Sequence, residues 1–300
     1  MHAPDPDVPA VVIATVSHNS ERVLSSFLES IPASTTLPYR VVVCDSGSAE
    51  PAAAAHLADA RGARFVDAGG NVGYGAAMNR AFEAEGSGAE FLLAANPDIV
   101  LRPGALDELI RAARQQPDGG SFGPRIYQPD GSVYPSARAF PALGTGIGHA
   151  LFSRLWPANP WTARYRTDTA HARSVTAADW LSGSCLLLRA EAFAAVGGFD
   201  ARYFMYFEDV DLARRLGEAG WKSYFVPSAE VVHIGAHSTE REPAAMLRAH
   251  HESAYRFLAA RYPGPWLAPL RLLLRGALAA RAGWASRRRR DEPARSAPSR

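Results

Sequence analysis

The chain has 300 residues, 47% hydrophobic and 21% charged, with a formal net charge of +2. This length can bury a large core, and this composition excludes a disordered or fibrous protein. Its two cysteines, Cys44 and Cys185, lie in separate apolar runs, which argues against a disulfide framework and for a reducing cytosol.

The first ten residues, MHAPDPDVPA, have no basic start before an apolar core, so no secretory signal is expected and residues 1–9 read as a flexible N-terminus. Short β-branched runs then alternate with helical stretches. Strands are predicted over 11–16, 41–44, 64–66 and 91–95, and helices over 21–30, 51–61, 76–85 and 103–116, the last with proline near its first turn. This alternation predicts βαβ units and an α/β fold with a mostly parallel sheet, whose ligands bind beyond the carboxyl ends of the strands. Residues 128–175 are rich in proline, glycine and aromatics without a period, and so irregular an insertion reads as a functional loop or lid. Beyond it come a strand at 185–189, a helix at 208–219, strands at 223–226 and 231–234, and a helix from 243 to 262. No internal repeat is visible.

The C-terminal segment stands apart in charge. Residues 243–300 carry twelve arginines against Glu252, Asp291 and Glu292, a net +9 that leaves −7 on residues 1–242. An anionic surface is the expected partner. Nucleic acid fits poorly, because the basic stretch lacks the aromatic and glycine spacing of an RNA reader and the body is acidic. In PWLAPLRLLLRGALAARAGW, Trp266 and Trp284 bracket an apolar stretch interrupted by Arg271, Arg275 and Arg281. Those arginines argue against a membrane span and for a helix lying in the membrane interface, with residues 287–290 adding attraction to anionic lipid. The alternative is a helix packed on the domain, or on a second copy in a homodimer, followed by a disordered tail over 286–300.

Polar clusters end three of the strands, in ATVSHNS, VVVCDSGS and LLAANPDIV. Singly, Asp45 and Asn96 are ordinary turn formers; three clusters at one sheet edge predict a site. GGNVGYGAAMN, residues 69–79, opens a helix whose free N–H groups suit a phosphate, although it is neither the dinucleotide fingerprint nor a P-loop. Asp98 offers a carboxylate oxygen to a hard divalent cation such as Mg2+ or Mn2+, and His233, at the end of AEVVHIG, offers a nitrogen that Mn2+ accepts better than Mg2+. An isolated histidine is otherwise most simply a core residue. The densest acidic cluster, Glu208-Asp209-Val210-Asp211, follows YFMYF. It reads either as charge complementing a helix N-terminus, with Asp211 paired to Arg214 or Arg215, or as a usable base in a partly dry pocket.

Together these stretches resemble the inverting family 2 glycosyltransferases of GT-A fold, and within them the bacterial rhamnosyltransferases of cell-wall linker and O-antigen synthesis. The similarity runs through VVIATVSHNS, VVVCDSGS, Asn71 to Asn79, NPD, WLSGSCLLLRAEAFAAVGGFD, FMYFEDVDLARRL and His233, in order, over about residues 10–260. It implies a GT-A catalytic domain over 10–242, divided near residue 125 into a nucleotide-sugar half and an acceptor half, with C-terminal helices over 243–285. It further implies that Thr15, Asn19 and Asp45 hold the nucleoside, and that Asn71, Gly73, Asn79 and Asn96 line the donor diphosphate and its surroundings. Asp98 and His233 would hold the cation, Asp209 would be the general base with Glu208 positioning it or the acceptor, and Trp180, Ser182 and Gly183 would meet the acceptor. In two places the chain departs from the family pattern: His18 stands where a tyrosine is usual, and Asn96 occupies the first Asp place of the Asp-x-Asp motif. The resemblance implies dTDP-L-rhamnose as donor, a polyprenyl-diphosphate-linked N-acetylglucosamine as acceptor, and a place in the cytoplasm, peripheral on the inner face of the plasma membrane. The alternatives are another donor on the same fold (galactofuranosyl, glucosyl or N-acetylglucosaminyl) or a non-catalytic nucleotide-sugar-binding protein.

Overall fold

In the computed structural model, residues 9–85, 88–140, 172–235 and 243–269 are described, together with 272, 273, 275 and 276. Most of the 128–175 insertion and the 286–300 tail lie outside them. The chain opens with β1 (Val11–Ser17), α1 (Glu21–Ser34), β2 (Tyr39–Asp45), α2 (Pro51–Asp59), β3 (Arg64–Asp67), α3 (Tyr74–Glu85) and β4 (Phe91–Ala95). Every residue of β1 and of β4 is buried, as a strand covered on both faces requires. Alternate residues feed two cores. Val11 and Ile13 face a cluster with Leu24, Phe27 and Ile31 of α1, while Val12 and Ala14 face a second with Met78 and Phe82 of α3. The apolar spacing of Leu24, Phe27, Leu28 and Ile31 is the reason α1 forms and seats as it does.

The second half runs through β5 (Ile99–Leu101), α4 (Ala105–Gln115), β6 (Gly119–Tyr127), β7 (Val133–Tyr134), β8 (Ala137–Arg138), β9 (Thr176–Ala178), β10 (Trp180–Leu181), β11 (Cys185–Arg189), α5 (Ala190–Ala195), α6 (Glu208–Glu218), β12 (Lys222–His233) and α7 (Pro243–Arg261). A 10-stranded sheet has the order β3-β2-β1-β4-β11-β6-β12-β5, with β7 on β6 and β9 on β12; β8 and β10 form a separate pair. From β3 to β4 the ladders are parallel, as expected. β11 then enters antiparallel between β4 and β6, so the sheet is mixed beyond β4. The two strands expected at 223–226 and 231–234 are one strand, β12, whose register shifts between Val226 and Glu230, around Pro227. Cys44 and Cys185 are free and buried.

Strand order places the site. Because β1 is flanked by β2 and β4, the connections leave it in opposite directions, and a crevice opens at the carboxyl ends of β1 and β4. The antiparallel ladder pairs Cys185 with Ala95, which sets the turn before β11 beside that crevice. A second antiparallel ladder pairs His233 with Ile99. α7 closes one side: Phe257 is buried in a cluster with Trp180, Tyr203 and Val210, and Ser253 Oγ donates to the Met205 carbonyl at 2.9 Å. Among the described residues, no helix is long and apolar enough to cross a membrane.

Candidate active site

A cleft of about 1120 Å3 opens where these ends converge. That is somewhat more than a single drug-sized ligand occupies, so the space suits two substrates. Behind its wall, Asp45 is buried, accepting hydrogen bonds from Ser48 N at 2.9 Å and Ser48 Oγ at 2.5 Å. Ser48 Oγ in turn accepts from Asn19 N at 2.8 Å, and Asn19 Oδ1 accepts from Ala49 N at 2.8 Å. The ends of β1 and β2 are thus tied together, with Asn19 in the cleft wall at φ +54. His18 Nδ1 donates to the Ser46 carbonyl at 2.8 Å, which leaves its other ring nitrogen free for the cleft.

The glycine-rich turn forms the next wall. Gly73 has φ +83, and a Cβ there would meet the Phe204 carbonyl oxygen at 2.2 Å. Its neighbour Tyr74 donates its N–H to that same carbonyl at 3.1 Å. Glycine is therefore demanded both by the backbone angle and by the segment lying across it. Asn71, whose Oδ1 accepts from Gly73 N at 3.3 Å, lines the cleft with it.

Asp98 and His233 meet directly. Asp98 is buried, and its Oδ2 lies 3.0 Å from His233 Nε2. Two ligands of one cation, each bonded at about 2.1 Å and at right angles, stand ~3 Å apart, so this pair fits neighbouring positions on a divalent ion. Among the described residues no group of three or more His, Cys, Asp or Glu could hold a metal. The remaining ligands would come from water and substrate oxygens, as is usual for Mg2+ and related ions at phosphate sites.

On the far wall, the chain enters α6 through Tyr206 and Phe207, both at φ +66. Asn19, Tyr206 and Phe207 are the non-glycine residues with positive φ among the described residues, and all three line the cleft; backbone strain of this kind collects where geometry serves a ligand. Asp209 Oδ2 accepts the Gly183 N–H at 2.9 Å. Burial raises its carboxyl above the ordinary range, and the Gly183 and Val210 N–H groups act against that rise. Glu208 is raised too: burial, then the adjacent Asp209 charge, push it up to about 8, and its Oε2 has no hydrogen-bond partner among the described residues. The metal pair and this acidic pair are structurally joined. Asn96 N donates to the Ser184 carbonyl at 2.8 Å, Ser184 follows Gly183, and Gly183 holds Asp209.

Of the residues singled out in the sequence, Asn19, Asn71, Gly73, Asn96, Asp98, His233, Trp180, Ser182, Gly183, Glu208 and Asp209 all line this one cleft. Three do not. Thr15 is fully buried within β1, its hydroxyl without a partner among the described residues. Asp45 spends its carboxylate on Ser48. Asn79 sits more than a turn into α3 and clasps Phe199, its Oδ1 accepting from Phe199 N at 2.9 Å and its Nδ2 donating to the Phe199 carbonyl at 2.8 Å. The expectation that Asn79 lines the diphosphate is therefore corrected: α3 runs away from the cleft, and both polar ends of this side chain are already used. Thr15 and Asp45 likewise act behind the wall. Residues not anticipated also face the cleft, notably Tyr74, which donates to the Gly183 carbonyl at 3.0 Å, then Arg138 of β8 and Arg248 of α7. The tyrosine stands inside the glycine motif and was legible as part of it; the two arginines carried no motif signal.

Residues 6–252 match the family described as glycosyltransferase like family 2. The chain is 48% identical over 284 residues, 92% of each chain, to an N-acetylglucosaminyl-diphospho-decaprenol L-rhamnosyltransferase of Mycobacterium tuberculosis. It is 28% identical to the rhamnosyltransferase WbbL of Escherichia coli, covering 83% of this chain and 92% of that one. Among solved structures, GalNAc-T7 with UDP, GalNAc and Mn2+ superposes with a TM-score of 0.58 at 14% identity, over 92% of this chain and 55% of that one. A mannosyltransferase of Pyrobaculum calidifontis with GDP-Man and Mn2+ gives 0.54 at 17% identity, over 94% and 78%. These two share the GT-A fold with this chain.

Proposed function

The chain belongs to glycosyltransferase family 2, and from that premise we propose that it transfers L-rhamnose, with inversion, from dTDP-L-rhamnose to a polyprenyl-diphosphate-linked N-acetylglucosamine in polysaccharide assembly. The 48% identity across 92% of both chains to an enzyme bearing that activity supports the choice of sugar and acceptor. The observation that carries the chemistry is that Asp98 and Asp209 face one cleft, linked through Asn96, Ser184 and Gly183.

Inversion by direct displacement needs one base, placed opposite the leaving group. Asp209 takes that role, its carboxylate held by the Gly183 N–H and aimed by the first turn of α6. Glu208, pushed up to about 8 beside it, keeps its proton at neutral pH. The Gly183 and Val210 N–H groups donate to the Asp209 carboxylate, whereas Glu208 Oε2 has no donor among the described residues, so Asp209 is the member of the pair placed to carry the charge. Asp98 and His233 would hold a divalent cation, Mn2+ or Mg2+, against the donor diphosphate. When bound, the ion offsets the charge that grows on the leaving nucleotide. Asn71 and Gly73 bring backbone to the same diphosphate, Asn96 flanks it, and Asn19 holds the nucleoside end. Thr15 and Asp45 support that end from behind. Trp180, Ser182 and Gly183 form the acceptor side.

We further place the enzyme on the inner face of the plasma membrane as a peripheral protein. Trp266, Leu272 and Leu273 are 80%, 66% and 70% exposed beside Arg275, in a segment whose net charge over 243–300 is +9. Each basic side chain near an anionic surface contributes about 1 kcal/mol. The test of the whole reading is a donor panel with divalent metal and a lipid-diphosphate N-acetylglucosamine acceptor. Rhamnose should transfer alone or far above glucose, galactofuranose and N-acetylglucosamine; preferred transfer of any of the others would overturn the donor assignment.

A further inference from the structure

The reaction proposed above brings two diphosphates to one cleft, and the cation pair with the glycine turn accounts for only one of them. Arg138 is a cation of the cleft wall that has no role in that reading. Its position is set by β8, where it pairs with Trp180 of β10. Its side chain is fixed as well: Nε donates to the Pro135 carbonyl at 2.8 Å, one terminal nitrogen donates to Tyr134 Oη at 2.8 Å, and the guanidinium lies 5.2 Å and 5.3 Å from the Tyr134 and Trp180 ring centres. Among the described residues no carboxylate forms an ion pair with it, whereas Arg214 and Arg215 are both paired with Asp211. A guanidinium held by neutral groups, with donors left over and a face to the cleft, is an anion site awaiting its anion.

Which diphosphate it takes follows from the geometry of displacement. In an in-line inversion the leaving group departs from the side opposite the base, so the donor diphosphate stays with Asp98, His233 and the glycine turn. Arg138 is on the base's side, close enough for its charge to act on the Asp209 carboxyl. Trp180, its ladder partner, precedes Gly183 by three residues, at most about 10 Å of extended chain, and Gly183 holds Asp209. One sugar ring with its phosphate spans that order of distance. We propose that Arg138 anchors a second anion subsite that binds the acceptor's diphosphate, so that the acceptor sugar is delivered with its hydroxyl at Asp209. This rests on the lipid-diphosphate acceptor of the preceding section. Arg248, exposed on α7 at the same cleft, is the secondary cation.

The experiment compares full-length wild type, R138Q and R138K on two acceptors at saturating donor: farnesyl-diphospho-N-acetylglucosamine and a phosphate-free octyl N-acetylglucosaminide. The expected result is that R138Q loses at least tenfold of the wild-type preference for the diphosphate acceptor through a raised acceptor KM. R138K should lose less, and the donor KM should move less than twofold in both. An equal fall on both acceptors, or a rise in donor KM instead, overturns the proposal. A second arm needs no turnover: farnesyl diphosphate is titrated into each protein, with metal and saturating dTDP, by calorimetry. Tenfold weaker binding to R138Q is expected, and equal binding overturns the subsite. Retained dTDP binding identifies a folded variant. Should wild type transfer to neither acceptor, the acceptor reading of the preceding section fails, while the calorimetric arm still decides Arg138.

Discussion

Replacing Glu208 with glutamine should stabilise the protein, and increasingly so as pH rises. The side chain is buried, one oxygen has no hydrogen-bond partner among the described residues, and its carboxyl is pushed from 4.5 to about 8. Between those values the folded chain retains a proton that the unfolded chain has released, so stability falls with rising pH through that window. Below about pH 4.5 both states are protonated and nothing is lost; above about pH 8 the loss is complete. At 1.36 kcal/mol per unit, the ceiling is about 5 kcal/mol. Glutamine keeps the shape without the charge. Its own unmade hydrogen bonds add an offset that does not vary with pH, and Asp209 titrates in both proteins, so the slope carries the test. From pH 5.5 to 8.5 the advantage of Glu208→Gln should grow by up to about 3 kcal/mol. Urea unfolding followed by tryptophan fluorescence at several pH values reads it directly. A difference that stays flat across the window refutes the account of Glu208 as a buried, protonated partner of Asp209.

Asp209→Asn should lower turnover by at least about 10^2-fold while leaving nucleotide binding intact in a fluorescence or calorimetric titration. Gly73→Ala places a methyl against the Phe204 carbonyl at positive φ. It should cost of order 2–4 kcal/mol, seen as a lower thermal midpoint together with lost donor binding. Asp98→Asn removes the carboxylate beside His233, and a metal titration of activity should then require at least about tenfold more cation, a change worth ~1.4 kcal/mol. Deleting residues 265–300 should release the protein from anionic vesicles in a sedimentation assay, and binding that survives the deletion would contradict the membrane reading.

How far the sequence could be read depended on where each piece of information lay. β1, β2 and β4 announced themselves because strands covered on both faces must be apolar throughout. β6 did not: GGSFGPRIY looks like a loop, yet its glycines answer to neighbours distant in sequence, a Cβ at Gly120 meeting Trp221 at 2.8 Å. The candidate cation pair was half legible. Asp98 stood in a motif and His233 at a strand end, but their meeting depends on the ladder that pairs His233 with Ile99. Similarly, Asp209 was visible as an acid at a helix start, while the Gly183 N–H that holds it comes from a turn 26 residues earlier. Asn79 misled because a motif records that a residue is needed without recording for what; here the need is the turn at Phe199. Arg138 could not be found at all: it lies in a stretch with no period, and its place at the cleft follows from the ladder that pairs it with Trp180.

The central claim is a single displacement by one ionised carboxylate set opposite the leaving nucleotide. The most direct measurement is the anomeric configuration of the first product formed, read by NMR from transfer of dTDP-L-rhamnose to a lipid-diphosphate N-acetylglucosamine. A configuration opposite to that of the donor is the predicted result. Retention of the donor's configuration would contradict it, because retention demands a second displacement that Asp209 alone does not provide.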